Sequence, residues 1–232
     1  MPATNIVYMA ATELPAVFDY PVIVLDCDGV ILDSNKLKSD AMGEAVSEYG
    51  ENLARQFVRY HQEHGGISRY AKFETFLREM ADDWSPERYD YLLQRLSTLV
   101  RKKLLKVPYT KGAEQFLASA SQRSRLYIVS GGDQKELVWA FGQRGTAHYF
   151  EAILGSPTAK QAHCESIRQT LDPGTPVLFI GDSRLDHEAA KGSGFDFLFL
   201  SSCTEYDHWQ TYCADHKLPH IPDFATLMDN SR

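Results

Sequence analysis

Residues 22–33 read VIVLDCDGVILD, an apolar run rich in β-branched residues that delivers two aspartates, Asp26 and Asp28, into Gly29. A run of this kind makes a buried strand, and strands of open α/β sheets present their carboxyl ends to a ligand crevice. Two carboxylates placed two residues apart at such an end repel one another. They require a cation, a proton or strong hydrogen bonds to offset that repulsion. A divalent metal, with one aspartate left as a nucleophile, meets the requirement.

Outward from this segment, the chain changes character twice. From 36 to 107 the pattern is helical. KSDAMGEAVSEYG, NLARQFVRYHQEH, RYAKFETFLREMADD and PERYDYLLQRLSTLVRKKLL each carry apolar residues at three- and four-residue spacing. Gly65-Gly66 separates the second from the third, and Ser85-Pro86-Glu87 opens the fourth with a cap, a first-turn proline and an early acid. After Pro108, RLYIVS at 125–130, EAILG at 151–155, PVLFIGD at 176–182 and FDFLFL at 195–200 read as short buried strands. Helical stretches near 112–122, 133–145, 158–171 and 184–192 lie between them. Strands alternating with helices imply right-handed crossovers and a parallel sheet. The expectation is an α/β fold with a Rossmann-like parallel core, residues 1–35 and 108–232, interrupted by a helical cap, residues 36–107. Ile221–Leu227 is expected to return to the core with a helix start.

At 232 residues and 44% hydrophobic, the chain can bury a full core. Its net charge of -7 argues against a general nucleic-acid binder. Cys27, Cys164, Cys203 and Cys213 form no CxxC pair and read as free thiols of a reducing compartment. Residues 1–21 show neither a basic amino end nor a long apolar core, so no leader or membrane span is expected and a cytoplasmic location is.

The strand ends carry the chemistry. The first ends in Asp26 and Asp28. The second ends in Ser130-Gly131-Gly132, a hydroxyl followed by two residues that let main-chain amides approach an anion. A later strand ends in Gly181-Asp182-Ser183, with Asp186 one turn further on, and Lys160 is the only lysine from 136 to 190. This mixture suits phosphoryl transfer. Asp26 would attack phosphorus and form an aspartyl-phosphate, and Asp28 would protonate the leaving oxygen and later deprotonate water. Mg2+ held by Asp26, by Asp28 through its main-chain carbonyl, and by Asp182, with Asp186 nearby, would screen nucleophile from substrate. Ser130, Gly29, Gly131 and Lys160 would hold the phosphoryl oxygens.

These four motifs, in this order, resemble those of the haloacid dehalogenase superfamily of phosphohydrolases. Asp26-Cys27-Asp28-Gly29-Val30 matches the nucleophile motif, Ser130 the second, Lys160 the third, and Gly181-Asp182-Ser183 with Asp186 the fourth. The helical insert after the first motif resembles the cap of the phosphoglycolate phosphatase and β-phosphoglucomutase branch. The resemblance implies a magnesium-dependent aspartyl-phosphate mechanism under a closing cap. One departure is that the branch often has Lys-Pro at the third motif, whereas here Pro157 precedes Lys160. Within the superfamily, an acid at the second aspartate position favours phosphate esters. A halide leaving group needs no proton, and the phosphonate-cleaving branch usually lacks that acid and uses a cap lysine.

Gly65-Gly66-Ile67-Ser68-Arg69 resembles the cap loop that β-phosphoglucomutases place over a sugar phosphate. In that comparison Arg69, with Lys72 close by, would meet a distal anionic group of the substrate; alternatively Ser68 simply caps a helix. The expected substrate is a small phosphorylated metabolite such as a sugar or sugar-acid phosphate. A phosphomutase and a non-catalytic regulatory protein on the same fold are the rival readings. The carboxy-terminal Cys203, His208, Cys213, His216 and His220 lack the paired spacing of a zinc site and read as structural.

Overall fold

The unbroken apolar runs are strands covered on both faces. Along β1 (Val22–Leu25) every residue is buried, with Ile23 and Leu25 in one apolar cluster and Val22 and Val24 in another. The same alternation holds in β4 (Val177–Gly181), where Leu178 and Ile180 face one way and Val177 and Phe179 the other. Successive strand side chains point to opposite faces, so a sheet buried on both sides needs apolar residues at every position. With β2 (Arg125–Asp133), β3 (Phe150–Ser156), β5 (Asp196–Leu200) and β6 (His220–Ile221), the strands form one sheet in the order β3-β2-β1-β4-β5-β6. All neighbours are parallel. The α/β class expected from the sequence is the observed one. The computed structural model describes residues 17–230. Residues 1–16, which carry most of the stretch read for a leader, and residues 231–232 lie outside that range.

Between β1 and β2 the chain makes α1 (Asn35–Ala45), α2 (Glu51–Glu63), α3 (Arg69–Thr75) and α4 (Pro86–Leu104). The continuous helix expected over 69–83 instead passes from α3 into a π-helical turn at Phe76–Met80. That turn keeps Phe76 on the apolar cluster, where its ring centroid lies 4.7 Å from that of Phe57 and Phe73 packs on Phe57 at 5.6 Å. Ser68 and Ser85 cap α3 and α4 by accepting from the Ala71 and Arg88 amides. The cap role read for Ser68 is therefore present.

After the insert, α5 (Ala113–Ala120), α6 (Gln134–Gln143) and α10 (Phe224–Asn230) cover one sheet face, and α7 (Lys160–Gln169), α8 (Arg184–Gly192) and α9 (Trp209–His216) the other. The sequence pattern left α9 without an assigned structure. Its buried side is made of Trp209, Tyr212 and Cys213, polar-tipped or small residues that carry a weak helical signature. No helix among the described residues is long and apolar enough to cross a membrane.

One junction fixes how α5 enters. Gly112 has φ +83°, and a Cβ there would stand 2.3 Å from the Ala225 amide nitrogen. Gly112→Ala is expected to cost at least the ~1–3 kcal/mol of a left-handed non-glycine residue, because α10 must also shift. Thermal unfolding of the variant checks this, and an unchanged Tm would contradict the packing described.

Candidate active site

The topology brings three strand ends together. Leu25 is in register with Ile128 on one side and Ile180 on the other. The residues that leave these strands, Asp26, Ser130 and Asp182, therefore start side by side. The strand order reverses at β1 and β4, the place where open α/β sheets bind ligands. A cleft there is lined by Asp26, Asp28, Gly131 and Asp182 from the core. The inserted helices contribute Lys38, His61, Arg69 and Lys72.

Asp26, Asp182 and Asp186 are all buried and offer carboxylate oxygens within 4.8 Å of one another. Lys160 Nζ lies 2.9 Å from Asp26 Oδ1 and 2.5 Å from Asp186 Oδ1. Burial opposes its charge, but the Asp186 and Asp26 carboxylates outweigh burial and hold the ammonium charged well above the ordinary lysine range. The Lys160 expected from the third motif thus stands at the centre of the site. Asp186 is spent on structure as well, since its Oδ2 accepts from the Asp182 and Ser183 amides and the Ser183 hydroxyl in a capping box on α8. Both Asp186 oxygens are thus engaged, Oδ1 by Lys160 and Oδ2 by the start of α8.

Asp26 and Asp182 are less satisfied. Asp26 Oδ1 is buried and has no well-formed hydrogen bond, its contact with Lys160 being an ion pair of poor bonding geometry. Burial pushes Asp26 up to about 7, with Asp186 and Asp28 adding to the effect and Lys160 opposing it. Asp182 is raised well above the carboxylate range by burial and then by the Asp26 and Asp186 charges. Two hard-oxygen donors beside one another could hold a divalent cation.

Asp28 takes the opposite course. Burial raises it, but the Lys38 charge and hydrogen bonds from Lys38 and Ser34 outweigh burial and lower it overall. Lys38 Nζ and Ser34 Oγ each lie 2.5 Å from its carboxylate. Its carboxylate is thus engaged by Lys38 and Ser34.

At the end of β2, the Ser130 hydroxyl accepts from the Gly132 amide at 3.0 Å and keeps its own proton to donate. Gly131 abuts the inserted helices, since a Cβ there would meet the Gly66 carbonyl oxygen at 2.3 Å. At Gly29 (φ +76°), a Cβ would strike Asp182 Oδ2 at 2.1 Å. Both glycines serve close approach between loops, and Gly131 lines the cleft.

Arg69, which also lines the cleft, gives its guanidinium to Glu136 on α6, at 2.7 and 3.3 Å, with both side chains almost fully buried. Lys72, by contrast, is buried in the cleft wall with Nζ 2.8 Å from His61 Nδ1.

Three residues of the site have no signal in the sequence pattern. Lys38 pairs with Asp28. Asn35 donates to Asp182 Oδ2 at 2.7 Å and to the Cys203 carbonyl at 2.8 Å. Glu136 receives Arg69. Each is a polar residue early in a helix, and only the fold brings it to its partner. Among the described residues, the carboxy-terminal Cys and His side chains form no metal cluster, and the four cysteines are free. His216 packs instead on Tyr212 and His187.

The family model of haloacid dehalogenase-like hydrolases matches residues 23–200. The chain belongs to the haloacid dehalogenase-like hydrolases. No curated protein matches it significantly. Among solved structures it is similar to a predicted phosphoglycolate phosphatase from Haemophilus somnus, with TM-score 0.68, 16% identity, and coverage of 92% of this chain and 98% of that one. It is also similar to a haloacid dehalogenase-like family hydrolase from Streptococcus pneumoniae, at 0.64, 20%, 87% and 93%. A third is YfnB of Bacillus subtilis, described as a HAD-type hydrolase bound to magnesium, at 0.57, 18%, 78% and 88%. At these identities the likeness is one of fold.

Two outcomes follow for this hydrolase. A carboxyl whose folded pKa is raised stabilises the fold below its unfolded value near 3.8, and that contribution is lost as pH rises through the folded value of about 7. Asp26→Asn should therefore stabilise the metal-free protein at pH 8 and by a smaller margin at pH 5; a margin independent of pH in thermal melts would contradict this. Arg69→Met should cost ~3–5 kcal/mol by stranding the Glu136 charge, and adding Glu136→Gln should recover part of it in denaturant titrations. Additive losses would show that the pair is not coupled.

Proposed function

We propose that the protein is a magnesium-dependent phosphatase that hydrolyses a small phosphorylated metabolite through an aspartyl-phosphate. The observation that carries this reading is the division of labour between two aspartates two residues apart. Asp26 is a dry, under-bonded carboxylate beside Lys160, and Asp28 is an ionised one held by Lys38 and Ser34.

In the first half-reaction, Asp26 attacks phosphorus, the ester P–O bond breaks, and the leaving oxygen takes a proton from Asp28. In the second, Asp28 takes a proton from water as that water attacks the aspartyl-phosphate, releasing phosphate and restoring Asp26. Asp28 is held as a carboxylate in the substrate-free protein and so takes up its proton with the substrate. Lys160 offsets charge at the nucleophile while Ser130 and the amides near Gly131 cradle the phosphoryl oxygens. Asp26 and Asp182, with the Asp28 carbonyl, would hold magnesium, which supplies charge neutralisation between anionic nucleophile and anionic substrate. Helices α1–α4 act as a cap that excludes bulk water. The magnesium bound by the Bacillus subtilis protein of similar fold supports the choice of ion.

Asp26→Asn is expected to abolish turnover and phosphoenzyme formation with the fold retained, and chelation of magnesium to abolish turnover reversibly. Asp28→Asn should slow hydrolysis of an alkyl phosphate by ~10²–10⁴-fold and that of p-nitrophenyl phosphate, whose leaving group needs little protonation, by much less. Substantial turnover by Asp26→Asn would overturn the proposal.

A further inference from the structure

The loop that leaves β2 is restrained from two sides. Ser130-Gly131-Gly132 contains two successive glycines, the residues with the greatest backbone freedom. On the core side, the buried Ser156 hydroxyl at the end of β3 reaches the Gly131 and Gly132 carbonyl oxygens, each at 3.0 Å. It has one proton, which the two carbonyls share.

The second restraint comes from the inserted helices. Asp133 follows Gly132 directly and divides its carboxylate between two partners. Oδ1 accepts from the Glu136 amide at 2.8 Å and so caps α6, while Oδ2 accepts from the Tyr70 hydroxyl of α3 at 2.6 Å. With both oxygens engaged, the carboxylate cannot turn without giving up a bond. Burial raises Asp133, but the Tyr70 hydroxyl and the Glu136 amide outweigh burial and lower it overall. Burial and then Asp133 push the Tyr70 phenol up to about 12, so a neutral hydroxyl donates to a charged acceptor.

Packing alone does not call for a hydroxyl at this position, since phenylalanine has the same ring. Among the described residues, Asp133 is the only hydrogen-bond partner of the Tyr70 hydroxyl. Its neighbours bear on the same stretch of chain. Arg69 pairs with Glu136, and the Gly66 carbonyl oxygen lies 2.3 Å from where a Gly131 Cβ would stand. The start of α3 and the turn before it therefore meet the chain at Gly131, Asp133 and Glu136. Tyr70 itself does not line the cleft.

We propose that Tyr70 is a positioning residue for phosphoryl binding: through Asp133, its hydroxyl ties the seated insert to the Ser130–Gly132 loop and sets that loop for the transferring group. This rests on the phosphatase reading above, in which that loop holds the phosphoryl oxygens. Because Tyr70 acts on the loop alone, its effect falls on every phosphate species, whatever alcohol is attached.

Tyr70→Phe removes the hydroxyl and keeps the ring. With magnesium present, inorganic phosphate is the probe, as a ligand in calorimetry and as an inhibitor of p-nitrophenyl phosphate hydrolysis. Its Kd and Ki are expected to weaken about tenfold, the scale of a hydrogen bond to a charged group. KM should rise by a similar factor for p-nitrophenyl phosphate and for glycerol 3-phosphate. Asp133→Ser can still cap α6 but is too short to reach Tyr70, so it should match Tyr70→Phe, and the double variant should be no worse than either single one. A merely structural role would lower Tm and the active fraction and leave Kd, Ki and KM where they were. Unchanged phosphate affinity and KM in Tyr70→Phe, or additive losses in the double variant, overturn the proposal and leave the phosphatase reading standing. If wild type binds phosphate without hydrolysing either ester, the calorimetric comparison decides alone. A wild type that neither binds phosphate nor hydrolyses the esters fails the phosphatase reading itself, and the role of Tyr70 falls with it.

Discussion

Three buried carboxylates share one lysine, and much of the molecule is arranged around that imbalance. Lys160 is the first residue of α7, where a cation opposes the helix dipole and where no side chain caps the helix. Local preference is violated at the place where the site needs a positive charge, and Asp26 and Asp186 compensate. The first turn of α8 surrounds Asp186 with donors. Asp26 and Asp182 have no such shell, so the excess negative charge collects on the two groups that face the cleft. A divalent cation or a proton relieves it, and that makes the cleft a binding site.

The same pressure ties the inserted helices to the core. Asn35, at the start of α1, spends one amide proton on Asp182 and the other on the Cys203 carbonyl. One turn along α1, Ser39 donates to Glu205, which Gln62 of α2 also reaches. Across the cleft, Arg69–Glu136, Tyr70–Asp133 and the glycine contact between Gly66 and Gly131 make a second seam. Each seam joins an inserted helix to the carboxyl-end side of the sheet.

The sequence showed most of the core and only half of the site. β-Branched runs buried on both faces are legible because no other element of that length is apolar at every position, and the four motif loops follow from where those runs end. Lys160 could be placed because it stands alone between 136 and 190. The pairing of Arg69 with Glu136 is not legible in the sequence, because Glu136 lies far along the chain in a separate helix. Lys38 and Asn35 were missed for the same reason. α9 escaped because its buried side uses Trp209, Tyr212 and Cys213, which periodicity weighs poorly.

The two aspartates of the opening segment illustrate how little separates a nucleophile from an acid–base group. They are the same residue type, two positions apart on one loop, Asp26 buried and Asp28 partly so. What divides them is the company supplied by elements far apart in sequence. Asp26 faces other carboxylates, with Lys160 shared between it and Asp186, and is driven upward. Asp28 has Lys38 to itself, together with the Ser34 hydroxyl, and is driven downward. Titratable neighbours whose environments push them apart mark distinct chemical roles. Lys38 comes from the first cap helix, so the identity of Asp28 as the ionised partner depends on the cap being seated. The insert therefore helps set the charge state of Asp28 in the substrate-free protein.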